Sequence, residues 1–172
     1  RHTRSLCDWS SDVCSSDLHE ANRRFVSGFE WPSRTLWQAR LLPYLDQANL
    51  YETLQFGEPW NSGPNAAACG VPLSVFQCPS QPTVQTQDFE GIPARQHCNY
   101  LGCASGIRTR ESGPSPVVGD PQVDGVLFQN SQVRIADVRD GTSTTLLLGE
   151  AVFDLESRGI DPVGNSQAVD HW

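Results

Sequence analysis

The sequence predicts an α+β domain with a small antiparallel sheet, one main helix and long loops. Three observations lead there. Leu36, Trp37, Leu41, Leu42, Leu45, Ala48, Tyr51 and Leu54 recur at spacings of three and four, as on one face of a helix. Short apolar runs bounded by turn formers follow, the pattern of half-buried strands. Between them, the 14 Gly and 12 Pro of the 172-residue chain mark long connections.

The helix comes first. Proline has no amide proton and clashes with the turn before it, so it suits a first turn. Pro43 therefore predicts a helix start, with residues 43–54 helical and 37–42 a separate approach segment. Gly57 and Pro59 end the helix. Residues 58–70, EPWNSGPNAAACG, read as a loop. Residues 71–78 are apolar and β-branched at intervals, predicting a strand that Pro72 confines to an edge. The polar stretch 83–96 reads as loop and residues 100–104 as a second strand. Residues 108–122 form a proline- and glycine-rich excursion with no core of their own. Residues 125–128 predict another strand, and 133–138 a single helical turn. Asp140-Gly141 signals a tight turn, and the apolar run 144–148 a buried strand. From Asp154 onward the chain thins into polar and turn residues.

The net charge is −8, from 20 acidic residues against 12 basic ones, and every basic residue is Arg. This acidity argues against a general nucleic-acid binder, which needs a basic face. No apolar run reaches the roughly 18 residues that span a bilayer. A hydrophobic content of 38% with 9% aromatics is too rich for a disordered tail. The all-Arg usage fits a GC-rich genome, because Arg codons are largely GC-rich and both Lys codons are AT-rich.

The opening residues read differently from the rest. RHTRSLCDWSSDVCSSDL has neither helical nor strand periodicity. Its last eleven residues, DWSSDVCSSDL, match one reading frame of a common sequencing-library adaptor. Residues 1–18 are therefore expected to be adaptor-derived and stand outside the fold argument. Without them the charge is 10 Arg against 17 acidic residues, or −7. Residues 19–34 are then expected to be a linker remnant, and 35–172 a single globular domain.

Five blocks in the remainder carry a resemblance: WQARLLPYLDQANLYETL, EPWN, LSVFQCPSQP, CNYLG and IADVRDGTSTTLLLGE. In this order they resemble a large planctomycete-type bacterial family of unknown function. Its members carry a prepilin-type N-terminal cleavage and methylation signal and a C-terminal His-x9-Asp-Gly motif. The similarity spans about residues 35–150. Its motif positions here are Trp37, Leu42, Pro43, Tyr44, Leu45, Cys78, Pro79, Asn99, Tyr100, Asp140, Gly141, Thr142, Ser143, Gly149 and Glu150.

The resemblance implies a pseudopilin-like head, related to type II secretion and type IV pilin proteins. It also implies an N-terminal anchoring helix that this chain lacks, and a domain truncated at its C-terminus. The implied location is extracytoplasmic, at the cell envelope or surface. The implied partners are other pilin-like or envelope proteins. Within the blocks, Leu41, Leu42 and Leu45 are expected to face a core, Trp37 and Tyr44 to pack, and Asp46 to sit early in the helix. Asp140 and Gly141 are expected to turn the chain while Thr142 and Ser143 hydrogen-bond nearby backbone. Because some pseudopilin heads bind calcium, Asp137, Asp140 and Glu150 are candidate oxygen ligands for that ion.

Setting aside Cys7 and Cys14 leaves Cys69, Cys78, Cys98 and Cys103. Cys69 and Cys78 flank a short piece that a local disulfide can close. Free buried thiols are the other reading, and a zinc site with His97 is the rival. No nucleophile elbow, phosphate loop, His-Glu-x-x-His or Rossmann fingerprint is present. His97 beside Cys98 reads as a surface or loop histidine, and no cofactor is implied. The leading expectation is a non-enzymatic contact domain. Its alternative is a carbohydrate- or polymer-binding module that stacks its ligand on Trp37, Trp60 or Tyr100. Amplifying the locus from source DNA is expected to give a different sequence upstream of about residue 19. Recovering DWSSDVCSSDL with an unrelated library chemistry refutes the adaptor reading.

Overall fold

Two backbone crossings decide how the chain enters its fold. Gly28 N donates to Phe128 O at 3.2 Å, and Trp37 N donates to Gly28 O at 3.2 Å. Between them β1 (Phe29–Glu30) and β2 (Thr35–Leu36) form an antiparallel hairpin, Phe29 opposite Leu36 and Glu30 opposite Thr35. The computed structural model describes residues 22–80, 86–89, 92–106 and 123–150. The adaptor-like residues 1–18, the excursion at 108–122 and the tail beyond Glu150 lie outside them.

Residues 25–34 are tied to a later part of the chain. Phe25 N donates to Val133 O at 2.8 Å and Asn130 N to Phe29 O at 2.7 Å, and Phe29 bridges Gln129 in parallel. Backbone polar groups leave water only when paired, and here residues 128–133 supply the pairs.

The main helix is broken in two. α1 (Trp37–Leu41) runs into a 3₁₀ turn, Leu42–Leu45, and α2 (Ala48–Thr53) follows. The single helix expected at 43–54 is thus corrected, and the approach segment before it is itself helical. Two causes act. Pro43 has no proton for an α-helical bond, and a 3₁₀ first turn tolerates it. Asp46 then takes a left-handed conformation, φ 59°, which reverses the chain instead of starting a helix. The three-and-four spacing still does its work: Trp37, Leu41 and Leu42 are buried, and Leu45, Leu50, Tyr51 and Leu54 pack beside them.

Four further expectations are corrected. Within 58–70, read as loop, α3 (Gly63–Cys69) forms, begun by a proline and carried by Ala66, Ala67 and Ala68, strong helix formers. Residues 71–78 make no strand; Ser74–Phe76 is a 3₁₀ turn. Leu73 and Phe76 are both buried, and a three-residue separation puts them on one side of a 3₁₀ turn but on opposite faces of a strand. Within 83–96, β3 (Thr86–Phe89) and β4 (Ile92–Gln96) pair antiparallel, with a register shift between Gln87 and Phe89. Residues 125–128 join no ladder. Val126 and Leu127 are buried, and both their amides donate to Cys103 O, at 3.1 and 3.0 Å.

The strand expected at 100–104 is present as β5 (Tyr100–Gly102). Its partner β6 (Leu148–Glu150) only touches the strand expected at 144–148, because Thr142–Thr144 is a 3₁₀ turn and Leu146 is 64% exposed. Ile135–Asp137 is the single helical turn that 133–138 predicts.

The class is α+β. Among the described residues, the sheet is three separate two-stranded antiparallel pairs. No described helix is long and apolar enough to cross a membrane. One core cluster joins the pieces: Trp37, Leu41, Leu42, Ala68, Leu73, Phe76 and Cys98.

Two glycines sit where backbones touch. A Cβ at Gly28 would meet Leu127 O at 2.2 Å, and one at Gly125 would meet Ala104 C at 2.5 Å. Gly28→Ala and Gly125→Ala are each expected to cost about 1–3 kcal/mol, and Phe76→Ala about 3–5 kcal/mol. Gly57→Ala, with nothing within 4 Å of the added methyl, is expected to change little. Urea unfolding midpoints and slopes check this ranking.

Candidate binding groove

A broad concavity lies where the entry hairpin meets the helical segment. Residues of β1, the 31–33 turn, α1, the Leu42–Leu45 turn and α2 line it with residues 130–132 from across the chain, enclosing about 820 Å³. An ion pair forms part of its wall. Arg40 Nε donates to Glu30 Oε1 at 2.8 Å, and Arg40 Nη2 to Glu30 Oε2 at 2.7 Å. The Arg40 guanidinium carbon also lies 3.8 Å from the centre of the Phe56 ring, which is 5.0 Å from that of Tyr51. The hydrogen bond to Glu30, opposed by burial, raises the Arg40 pKa. A planar fork matching a carboxylate on one side and a ring on the other is a role specific to Arg.

The rim is aromatic and polar. Trp31 is 54% exposed at the hairpin tip, and its amide donates to Asn130 Oδ1 at 2.9 Å. Arg34 lies over the Trp31 ring, 5.7 Å from its centre. Arg24 Nη1 donates to Gln132 Oε1 at 3.0 Å. Backbone geometry positions these groups: Arg34 and Asn130 adopt left-handed conformations, φ 61° and 54°.

Two smaller hollows accompany it. One, of about 40 Å³, is lined by Trp60, Asn65, Cys69 and Arg95 among others, with the Arg95 guanidinium 4.1 Å from the Trp60 ring centre. Burial pushes the Cys69 thiol up, against the pull of Arg95, so thiolate chemistry is disfavoured there. Asn65 holds this corner together: its Oδ1 accepts from Gln55 N at 2.8 Å and its Nδ2 donates to Gln55 O at 3.0 Å. The other, about 270 Å³, lies beside Trp37, Gln38, Tyr100 and Leu127.

The calcium candidates do not converge. Both oxygens of Asp137 are held by Arg134: Oδ1 by Nη2 at 2.9 Å, Oδ2 by Nε at 3.0 Å and by the backbone amide at 2.9 Å. These bonds lower the Asp137 pKa to about 2. Asp140 Oδ1 instead accepts from Thr145 Oγ1 at 3.3 Å, and Glu150 lies in β6 opposite Tyr100. Among the described residues, no three His, Cys, Asp or Glu gather into a metal-binding group, which also removes the zinc reading.

The disulfide candidate is not formed in this structure. No disulfide joins Cys69, Cys78, Cys98 and Cys103 to one another. Cys69 is fixed in α3, while Cys78 is tied elsewhere, its amide donating to Asn99 Oδ1 at 2.8 Å. His97 is fully buried, not on the surface.

The motif positions are mostly architectural. Trp37, Leu42 and Asn99 are buried, Tyr44 and Leu45 pack against the core, and Tyr100 and Gly149 lie in the β5–β6 pair. Pro43 and Pro79 are exposed. Gly141 turns the chain at φ 97°, as expected. Thr144 and Thr145, rather than Thr142 and Ser143, fasten that turn: each hydroxyl donates to Gly141 O, at 2.9 and 3.0 Å. Asp46 closes the 3₁₀ turn instead of opening a helix. The aromatic set proposed for stacking is dispersed, with Trp37 in the core, Trp60 facing Arg95 and Tyr100 half-buried. Sequence reasoning missed Glu30, Trp31, Arg40 and Asn130 as groove residues. Trp31, an aromatic in a stretch read as linker, was the available signal.

The chain belongs to a family described as Protein of unknown function (DUF1559), whose model matches residues 10–171. No curated protein and no solved structure matches it.

Carboxyl titration by NMR is expected to place the Asp137 midpoint at about 2, and Arg134→Gln to return it toward the ordinary range. Because folding depresses this pKa, its contribution to stability is present above the unfolded value and is lost as pH falls toward about 2. Calcium titration to millimolar concentration is expected to give no binding heat.

Proposed function

From this family membership, we propose that the chain is a non-enzymatic, extracytoplasmic head domain of the pseudopilin-like kind. A preceding N-terminal helix holds it at the cell envelope, and it acts through contacts with pilin-like or other envelope proteins. One observation carries the contact role: the disposition of reactive against apolar side chains. Among the described lining residues of the groove the one carboxylate, Glu30, has both oxygens on Arg40, and outside it Asp137 is held by Arg134. His97 and Cys69 are buried. Acid–base and nucleophilic work needs groups free to meet a substrate, so the pairing of these two carboxylates favours a contact role over a catalytic one. By contrast, Ile135 at 47% and Leu146 at 64% exposure offer apolar surface on the IADVRDGTSTTLLLGE block. Exposed apolar side chains of this kind can seat against a partner protein.

The test uses the full open reading frame expressed in its source cell. Fractionation is expected to place the protein with membranes, degraded by protease added outside the cytoplasm. A photo-crosslinking residue at position 135 or 146 is expected to capture pilin-like or envelope proteins. A cytosolic, protease-protected product without the helix overturns the placement, and crosslinks to none of those proteins overturn the contact role.

A further inference from the structure

The groove has a chemistry of its own, separate from the apolar contact surface at Ile135 and Leu146. Its volume, about 820 Å³, falls within the roughly 300–1,000 Å³ typical of ligand sites. Its lining alternates flat aromatic groups with side-chain amides. Trp31 stands half exposed on the rim, Tyr44 and Tyr51 line the wall, and Asn130 and Gln132 contribute amides. Aromatic side chains join a broad apolar face to a ring edge that tolerates water, and amides offer a donor and an acceptor in one plane. A pyranose ring has the complementary form, apolar C–H groups on its faces and hydroxyls around its edge.

The charge narrows the class further. Glu30, the one carboxylate among the described lining residues, is neutralised by Arg40. Arg24, on the wall, and Arg34, over Trp31, make no ion pair among the described residues. Both are exposed. In a protein with a net charge of −8, Arg24 in the groove lining and Arg34 beside the exposed tryptophan are thus two guanidinium groups with no ion pair among the described residues. Guanidinium groups bind carboxylates through paired, charge-assisted hydrogen bonds.

We propose that this groove binds a short acidic oligosaccharide, one whose sugar rings carry carboxylates. A ring stacks on Trp31, the ring hydroxyls meet the amides of Asn130 and Gln132, and the carboxylates meet Arg24 and Arg34. The inference goes beyond the contact role. It stands or falls on ligand binding by the isolated 172-residue chain, with no need for a membrane or a protein partner.

Calorimetric titration at low salt, with tetragalacturonate as the acidic probe and xylotetraose as the neutral one, tests it. Tetragalacturonate is expected to bind, and xylotetraose to bind about tenfold or more weakly. Trp31→Ala is expected to weaken tetragalacturonate about tenfold or more. Arg24→Gln with Arg34→Gln is expected to weaken it similarly and to flatten its salt dependence. All three side chains are exposed, so circular dichroism and the unfolding midpoint should stay at wild-type values, which separates lost binding from lost folding. No heat with tetragalacturonate overturns the proposal. So does affinity that Trp31→Ala leaves unchanged, or equal binding of xylotetraose or of a thymidine dodecanucleotide.

Discussion

The structure depends on one contact, the edge of Trp37 against Phe76. The two rings lie 5.9 Å apart at 77°, and Phe76 is wholly buried. An edge-to-face pair combines large apolar burial with favourable ring electrostatics, and it fixes orientation as well as distance. Each ring belongs to a segment tied by its own backbone. Trp37 N reaches Gly28 O, which sets the entry hairpin against α1. Phe76 O accepts from Asn99 N at 2.9 Å, which brings in the approach to β5. The contact therefore joins parts of the chain that share no extended ladder.

A fold of such short elements cannot rely on regular hydrogen bonding alone. Buried polar side chains supply what the ladders lack. Asn65 satisfies both backbone groups of Gln55, and Asn99 accepts the amide of Cys78. Gln96 Nε2 donates to Gly70 O at 3.2 Å, linking β4 to the end of α3. Each of these amides sits between segments distant in sequence. Losing one leaves part-buried backbone groups without that partner, at a cost of about 1 kcal/mol for each bond. The groove inherits this design, with Asn130 holding the hairpin tip through Trp31 N.

Burial was more legible in the sequence than shape. Three-and-four spacing marked Trp37, Leu41 and Leu42 as core, because side-chain periodicity survives when an α-helix tightens into a 3₁₀ turn. It did not reveal the break at Asp46, since a left-handed aspartate has no apolar signature. Leu73 and Phe76 were recognised as apolar, but a short run cannot distinguish a strand from a 3₁₀ turn. The β3–β4 hairpin was hidden in a polar stretch, where pairing rather than periodicity makes the strands. The groove was least legible of all. Its rim comes from residues 24–34, a stretch with no periodicity, and from residues 130–132 about a hundred positions later. Their meeting is a tertiary fact. The calcium candidates erred in the other direction: Asp137 and Asp140 are neighbours in sequence, yet Arg134 claims the first.

The arginines show how composition can mislead about local electrostatics. A net charge of −8 describes the whole chain, but where cations act depends on what they lie against. Arg40 and Arg134 are matched by Glu30 and Asp137. Arg34, Arg40 and Arg95 lie over Trp31, Phe56 and Trp60. A guanidinium is planar and weakly hydrated, so it covers a ring while keeping its N–H groups in the plane for other partners. A lysine ammonium offers neither property. The chain holds no lysine, and stacking gives that composition a structural consequence. Arg40 supports Phe56 and grips Glu30 at once, which removes the groove's carboxylate from play. Arg34 lies over Trp31 with no ion pair among the described residues, so on that side of the hairpin tip it is the aromatic ring that the guanidinium faces.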